Sequence, residues 1–333
     1  VLARTSDDGV RGLSLFFCRS ERADGTRNTV SVTRIEQKLG IHASPTCQLS
    51  FDDAEAELIG EEGAGLRAMF TMMNHARLAV ALQGVAHASR ATAVARAYAE
   101  DRVQGKNTPI SQHPDVARML DEMDLRAHGA RGIAHLALAT LESGRAPELV
   151  ELLTPVAKYF CTEVASQAAD LGIQVLGGYG YLEEYGMAQI WRDARICRTY
   201  EGTNGIHALS LATRLVDQDA PLRALDKLAD DTSGLDQIHA AWRSAWSQLG
   251  QLEDRRPVAD AFMRLTAELL HQIVWVRIEA AAERYGDPVR LRRLAQRARS
   301  RVGPEIAHYL AQTALQPETL QENASLQNGV HAY

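Results

Sequence analysis

Gly60-Glu61-Glu62-Gly63-Ala64-Gly65-Leu66-Arg67-Ala68-Met69-Phe70-Thr71-Met72-Met73 is where the hydrophobic period of this 333-residue chain changes. Before it the pattern is strand-like: Leu13, Leu15 and Phe17 alternate with Ser14 and Phe16. Asp24-Gly25 marks a turn, Val30, Val32 and Arg34 resume the two-residue period, and Cys47–Phe51 gives a further strand. After it, Leu66, Met69, Phe70, Met73, Val80 and Gly84 trace one helical face as far as about Arg102, a rod of roughly 60 Å at 1.5 Å per residue. Gly105, Asn107 and Pro109 break it, and Pro114-Asp115 opens a second helix through Met119, Met123, Ile133 and Leu141. A third helix spans about Pro147 to Gly172, and a fourth follows Thr203.

The predicted fold is mainly α. A partial antiparallel β-domain (1–60) precedes an up-and-down four-helix bundle (61–216) and an extra C-terminal helical domain (217–333). Asp217, Asp219, Asp230 and Asp231 suggest a linker, and helices are expected near 233–253, 256–285 and 287–315, with the tail after Gln316 along the surface. Apolar residues on more than one bundle face, such as Met69, Ile133 and Leu136, call for a homodimer or homotetramer.

A net charge of −6 with no basic stripe argues against nucleic acid. The four cysteines are widely spaced, which predicts reduced thiols and a cytoplasmic setting. No run of about 18 apolar residues suits a membrane span.

The chemistry is expected at Tyr200-Glu201-Gly202-Thr203-Asn204-Gly205, a polar turn carrying one carboxylate. Upstream lies a second turn, Gln174-Val175-Leu176-Gly177-Gly178-Tyr179-Gly180-Tyr181, joined to the first by one short amphipathic helix. Glycines at both turns let backbone N–H groups approach a phosphate or a carbonyl oxygen, with Glu201 beside them.

These paired turns resemble the acyl-CoA dehydrogenase family, where a Y-E-G-T turn holds the catalytic glutamate and a Q-x-x-G-G-x-G/Y turn meets the flavin. The resemblance runs from Lys38 to about Leu215 and is strongest to the branch with an extra helical domain that includes methylmercaptopropionyl-CoA dehydrogenases. It implies that Glu201 removes the α-proton of an acyl-CoA thioester while hydride leaves the β-carbon for FAD. It implies cofactor contacts at Arg102, Gln174, Gly177, Gly178, Gly202, Thr203 and Gly205, and substrate contacts at Asn74, Arg77 and Gly202. At Arg102 the sequence has R-V-Q-G where many relatives have R-x-x-F-G, and at Gly205 many carry glutamine. The resemblance also implies an electron-transfer flavoprotein or similar acceptor.

In that family 1–60 corresponds to the second half of the middle β-domain, and the segments before it are expected to be absent. The alternative function is therefore an inactive truncated homologue, or a subunit that needs a partner chain. A rival chemistry is a di-iron site, from Glu268-x-x-His271, Glu305-x-x-His308 and Asp236-x-x-His239. Three such pairs are a small excess over chance, no further inward glutamates are evident, and no metal is expected.

Overall fold

The computed structural model describes residues 1–105 and 107–313; the tail after Gln316 lies outside them. By contact density the chain divides into two compact units, Val1–Arg77 and from Leu78 onward.

The first unit holds five short strands: β1 (Leu2–Arg4), β2 (Leu13–Phe17), β3 (Val30–Ile35), β4 (Cys47–Phe51) and β5 (Glu57–Ile59). They form an antiparallel sheet of order β1-β2-β5 and a separate β3-β4 pair. Val30 faces Phe51 and Val32 faces Leu49, with an irregularity between Val32 and Arg34. The expected strands are present, and they bury little: Val32, Ile35, Leu49 and Phe51 are all exposed. Buried Asn28 ties this unit together, its Nδ2 donating to the carbonyls of Arg19 and Glu55 at 2.8 Å each.

Helix α1 (Gly65–Asp101) begins in the first unit and continues into the second. A short hairpin, β6 (Val103–Gln104) with β7 (Thr108–Pro109), ends it. Then come α2 (Pro114–Ser143) and α3 (Pro147–Leu176), each with proline in its first turn, where a missing N–H costs nothing. Three residues of connection, Gly144 to Ala146, make these two antiparallel neighbours. The fourth bundle element is α5 (Asn204–Ser210), which passes through a π-helical turn at Leu211–Leu215 into α6 (Val216–Gln218). Between α3 and α5 lies α4 (Met187–Ile196).

Every residue of α3 from Leu152 to Ala165 is buried, the signature of a helix surrounded by others. Its backbone comes so close to α1 that a Cβ on Gly84 would stand 2.5 Å from the Cys161 carbonyl oxygen.

The expected linker is a helix. In α7 (Ala220–Asp230), Leu222, Leu225 and Ala229 follow the i, i+3, i+7 period into the core, while Asp226 and Asp230 face outward and both accept from Arg243. The aspartates mark a solvated helix face that composition alone does not separate from a loop. Helices α8 (Asp236–Gln251), α9 (Ala259–Ala280) and α10 (Pro288–Thr313) complete the chain. Leu125 of α2 packs with Trp275 of α9 and Leu294, Ala295 and Ala298 of α10. Ile133, expected to need a partner subunit, is fully buried within this chain.

Among the described residues no helix is long and apolar enough to cross a membrane. All four cysteines are free thiols.

Candidate active site

The turn before α5 has an unusual backbone. Glu201 takes φ +55° and Gly202 φ +85°, two consecutive left-handed residues. The second suits glycine; the first costs a residue with a Cβ about 1–2 kcal/mol. A Cβ on Gly202 would stand 3.2 Å from the His207 ring. Thr203 caps α5, its Oγ1 accepting from the Ile206 N–H at 3.3 Å.

The strain is offset from below. His207 Nε2 lies 3.2 Å from the Glu201 carbonyl and Lys158 Nζ 2.8 Å from the Gly202 carbonyl. The phenol of Tyr200, just before Glu201, donates to Gln83 Oε1 on α1. Burial pushes that phenol's pKa up, so it remains a donor. Glu201 itself is half-buried, and its Oε2 is shielded from solvent with no hydrogen-bond partner among the described residues. Buried carboxylate oxygens are normally answered. An unanswered one on a strained backbone is an acceptor held ready for a group the protein does not supply.

The second turn forms a cleft of about 500 Å³ lined by Tyr98, Arg102, Gln104, Leu176, Gly177, Gly178, Tyr179 and Leu182. The Arg102 guanidinium lies 5.5 Å from the centroid of the Tyr179 ring. Tyr98, Tyr179 and Tyr185 form an aromatic cluster with centroids 5.1–6.2 Å apart. Gly177 takes φ +61°, and a Cβ at Gly177 or Gly178 would meet nothing within 4 Å. An arginine fork, an open glycine backbone and aromatic faces fit the pyrophosphate and ring of a dinucleotide.

Of the residues expected at the cofactor, Arg102, Gly177 and Gly178 meet in this cleft. Gln174 is exposed one turn earlier on α3, and Gly205 is exposed on α5; neither lines it. Thr203 and Gly202 belong to the Glu201 turn. The substrate candidates Asn74 and Arg77 lie in the first unit, where Arg77 Nη1 donates to Asn74 Oδ1 at 3.1 Å and the guanidinium sits over Phe70.

The di-iron pairs are used otherwise. His239 pairs with Asp226 rather than Asp236, Glu305 accepts from Arg126, and Glu268 bonds to His271 within a buried network. No group of three or more metal-ligating side chains is found among the described residues.

Sequence reasoning missed the support beneath the turn: Lys158, Thr162, Glu163, Asn204 and His207, all buried. A signal existed, since Lys158 and Glu163 interrupt an otherwise largely apolar helix.

Residues 63–216 match the family described as acyl-CoA dehydrogenase, C-terminal domain. The chain is 46% identical over 243 residues to 3-methylmercaptopropionyl-CoA dehydrogenase of Ruegeria pomeroyi, covering 66% of this chain and 41% of that protein. Among solved structures it resembles Caenorhabditis elegans ACDH-11 in complex with C11-CoA (TM-score 0.77, 23% identity, 100% of this chain and 60% of that one). It also resembles butyryl-CoA dehydrogenase of Megasphaera elsdenii (TM-score 0.59, 29% identity, 65% and 55%). The chain thus spans less than half the length of the first of these relatives. With the glutamate turn, the glycine turn and the helical bundle in the family's order, residues 63–216 of this chain belong with the acyl-CoA dehydrogenase C-terminal domain.

Proposed function

We propose that this chain takes part in the FAD-dependent oxidation of an acyl-CoA thioester to its trans-2-enoyl form, with Glu201 as the base. The observation that carries the reading is Glu201 itself, a carboxylate on a costly left-handed backbone with an unanswered buried oxygen. FAD, when bound, accepts the β-hydrogen as hydride. Glu201 takes the α-proton as the β-hydride leaves, so the two C–H bonds broken become one C=C bond. The Glu201 and Gly202 N–H groups are the candidate donors for the thioester oxygen. Arg102 would hold the pyrophosphate, with Gly177 and Gly178 admitting the cofactor to the backbone and Gln174, Thr203 and Gly205 flanking it. Asn74 and Arg77 would meet the acyl-CoA. In this reading residues 61–216 carry the chemistry, 1–60 contribute part of a β-domain, and 217–333 form a helical appendage. The acceptor would be an electron-transfer flavoprotein or similar protein, the assembly a homodimer or homotetramer, and the location the cytoplasm, consistent with four free thiols.

The test is anaerobic stopped-flow reduction of the flavin-loaded protein by saturating acyl-CoA. Glu201→Gln is nearly isosteric and removes the proton-accepting charge, so reduction should slow by about 10⁴-fold or more while flavin binding is retained. A rate within about tenfold of the parent would make the turn structural.

A further inference from the structure

Lys158 sits in the middle of the wholly buried stretch of α3, with none of its surface exposed. An ammonium there is costly unless its donors are used. Nζ lies 2.8 Å from the Gly202 carbonyl and 2.9 Å from Asn204 Oδ1, both in the turn that carries Glu201. Lysine only donates and a carboxylate only accepts, so the Asn204 amide has one orientation. Its Oδ1 faces Lys158, and its Nδ2 donates to Glu163 Oε1 at 2.8 Å. Glu163 Oε1 also accepts from Arg198 Nε at 2.8 Å, and the Asn204 N–H donates to the Arg198 carbonyl at 3.1 Å. The bonds close a ring from α3 through the turn and back.

This ring meets the turn at a telling place. The Gly202 carbonyl points at Lys158 only while Glu201 and Gly202 keep their positive φ angles; turning either residue back redirects that carbonyl. A core network serving stability alone has no reason to grip the peptide that follows two strained residues. We infer that Lys158 is a positioning residue for Glu201: by holding the Gly202 carbonyl and Asn204 it fixes the left-handed turn and the place of the carboxylate. The inference rests on reading Glu201 as the base.

Two measurements test it. In amide hydrogen exchange of the purified chain, which requires no flavin, Lys158→Met should speed exchange at residues 201–205 by about tenfold or more, leaving α8–α10 within about twofold. Asn204→Ala, which removes the other end of the clamp, should do the same, and it stands in if the Met variant fails to fold. In the flavin-loaded protein, Lys158→Met should slow reduction by saturating acyl-CoA about 10²-fold with acyl-CoA affinity changed less than about threefold. Lys158→Arg, which keeps a cation and its donors, should recover about tenfold of that loss. Unchanged exchange in the turn, or a rise spread evenly over all helices, overturns the inference. If no acyl-CoA reduces the parent's flavin, the reading of Glu201 falls and the exchange result alone decides whether Lys158 holds the turn.

Discussion

Glu268 on α9 and Glu201 before α5 are both carboxylates set among helices, and their surroundings differ at every point. Glu268 is almost wholly buried, and its Oε1 accepts from Gln272 Nε2 at 2.7 Å and lies 3.3 Å from His271 Nδ1. Trp275 Nε1 can only donate, and it does so to His271 Nε2 at 3.0 Å, which leaves the ring proton on Nδ1, facing the carboxylate. Arg126, close by, is shared between Glu122 and Glu305. Burial opposes ionisation of Glu268, yet the His271 ring, the Arg126 charge and Gln272 outweigh it and bring its pKa down to about 2. Glu201 has a strained backbone and an oxygen that none of the described residues answers. A carboxylate whose bonds are all made inside the protein is architecture; one held at a cost and left open is available to a ligand.

The comparison breaks first at Glu268. Replacing it with alanine leaves Arg126 with one acid fewer and strands His271 and Gln272, so urea unfolding should lose about 3–5 kcal/mol. A loss under about 1 kcal/mol would mean that the network is incidental. The same group predicts acid behaviour. A folded pKa lowered from 4.5 to about 2 gives stability that is present above pH 4.5 and lost as pH falls toward 2. Glu305 is shifted upward, by burial and then by the Glu268 charge, so its contribution runs the other way, present at low pH and lost as pH rises through its raised value. Melting curves should therefore fall more steeply below pH 4.5 in the parent than in Glu268→Gln.

A smaller effect sharpens the other side. Gly202→Ala places a Cβ at φ +85° and 3.2 Å from the His207 ring, which should cost about 1–2 kcal/mol in the same assay. No change in unfolding would show that the turn relaxes freely.

How much of this was legible in the sequence follows from which signals are local. The period change at Gly60, the prolines opening α2 and α3 and the two glycine turns are local, and they placed the bundle helices; that Arg102 shares a cleft with Gly177 and Gly178 is not a local signal. The acidic run at 217–231 misled because Asp217, Asp219, Asp230 and Asp231 resemble a loop until Leu222, Leu225 and Ala229 are counted on one face. Lys158 stood out as a charge in an apolar helix, but its role was missed for another reason. Its partners lie 44 and 46 residues away, and no spacing rule connects a lysine in an apolar helix with the carbonyl of a distant turn. Ile133 misled similarly, since the α9 and α10 helices that cover α2 follow it by more than a hundred residues.

The central claim is that Glu201 is kept for chemistry at the expense of stability. The most direct measurement is urea unfolding of Glu201→Gly beside the parent. Glycine accepts φ +55° without penalty, and no hydrogen bond to Oε2 is lost. The variant should be at least as stable as the parent, by up to about 1 kcal/mol. A variant less stable by more than about 1 kcal/mol would show that the carboxylate supports the fold, and the contrast with Glu268 would fail.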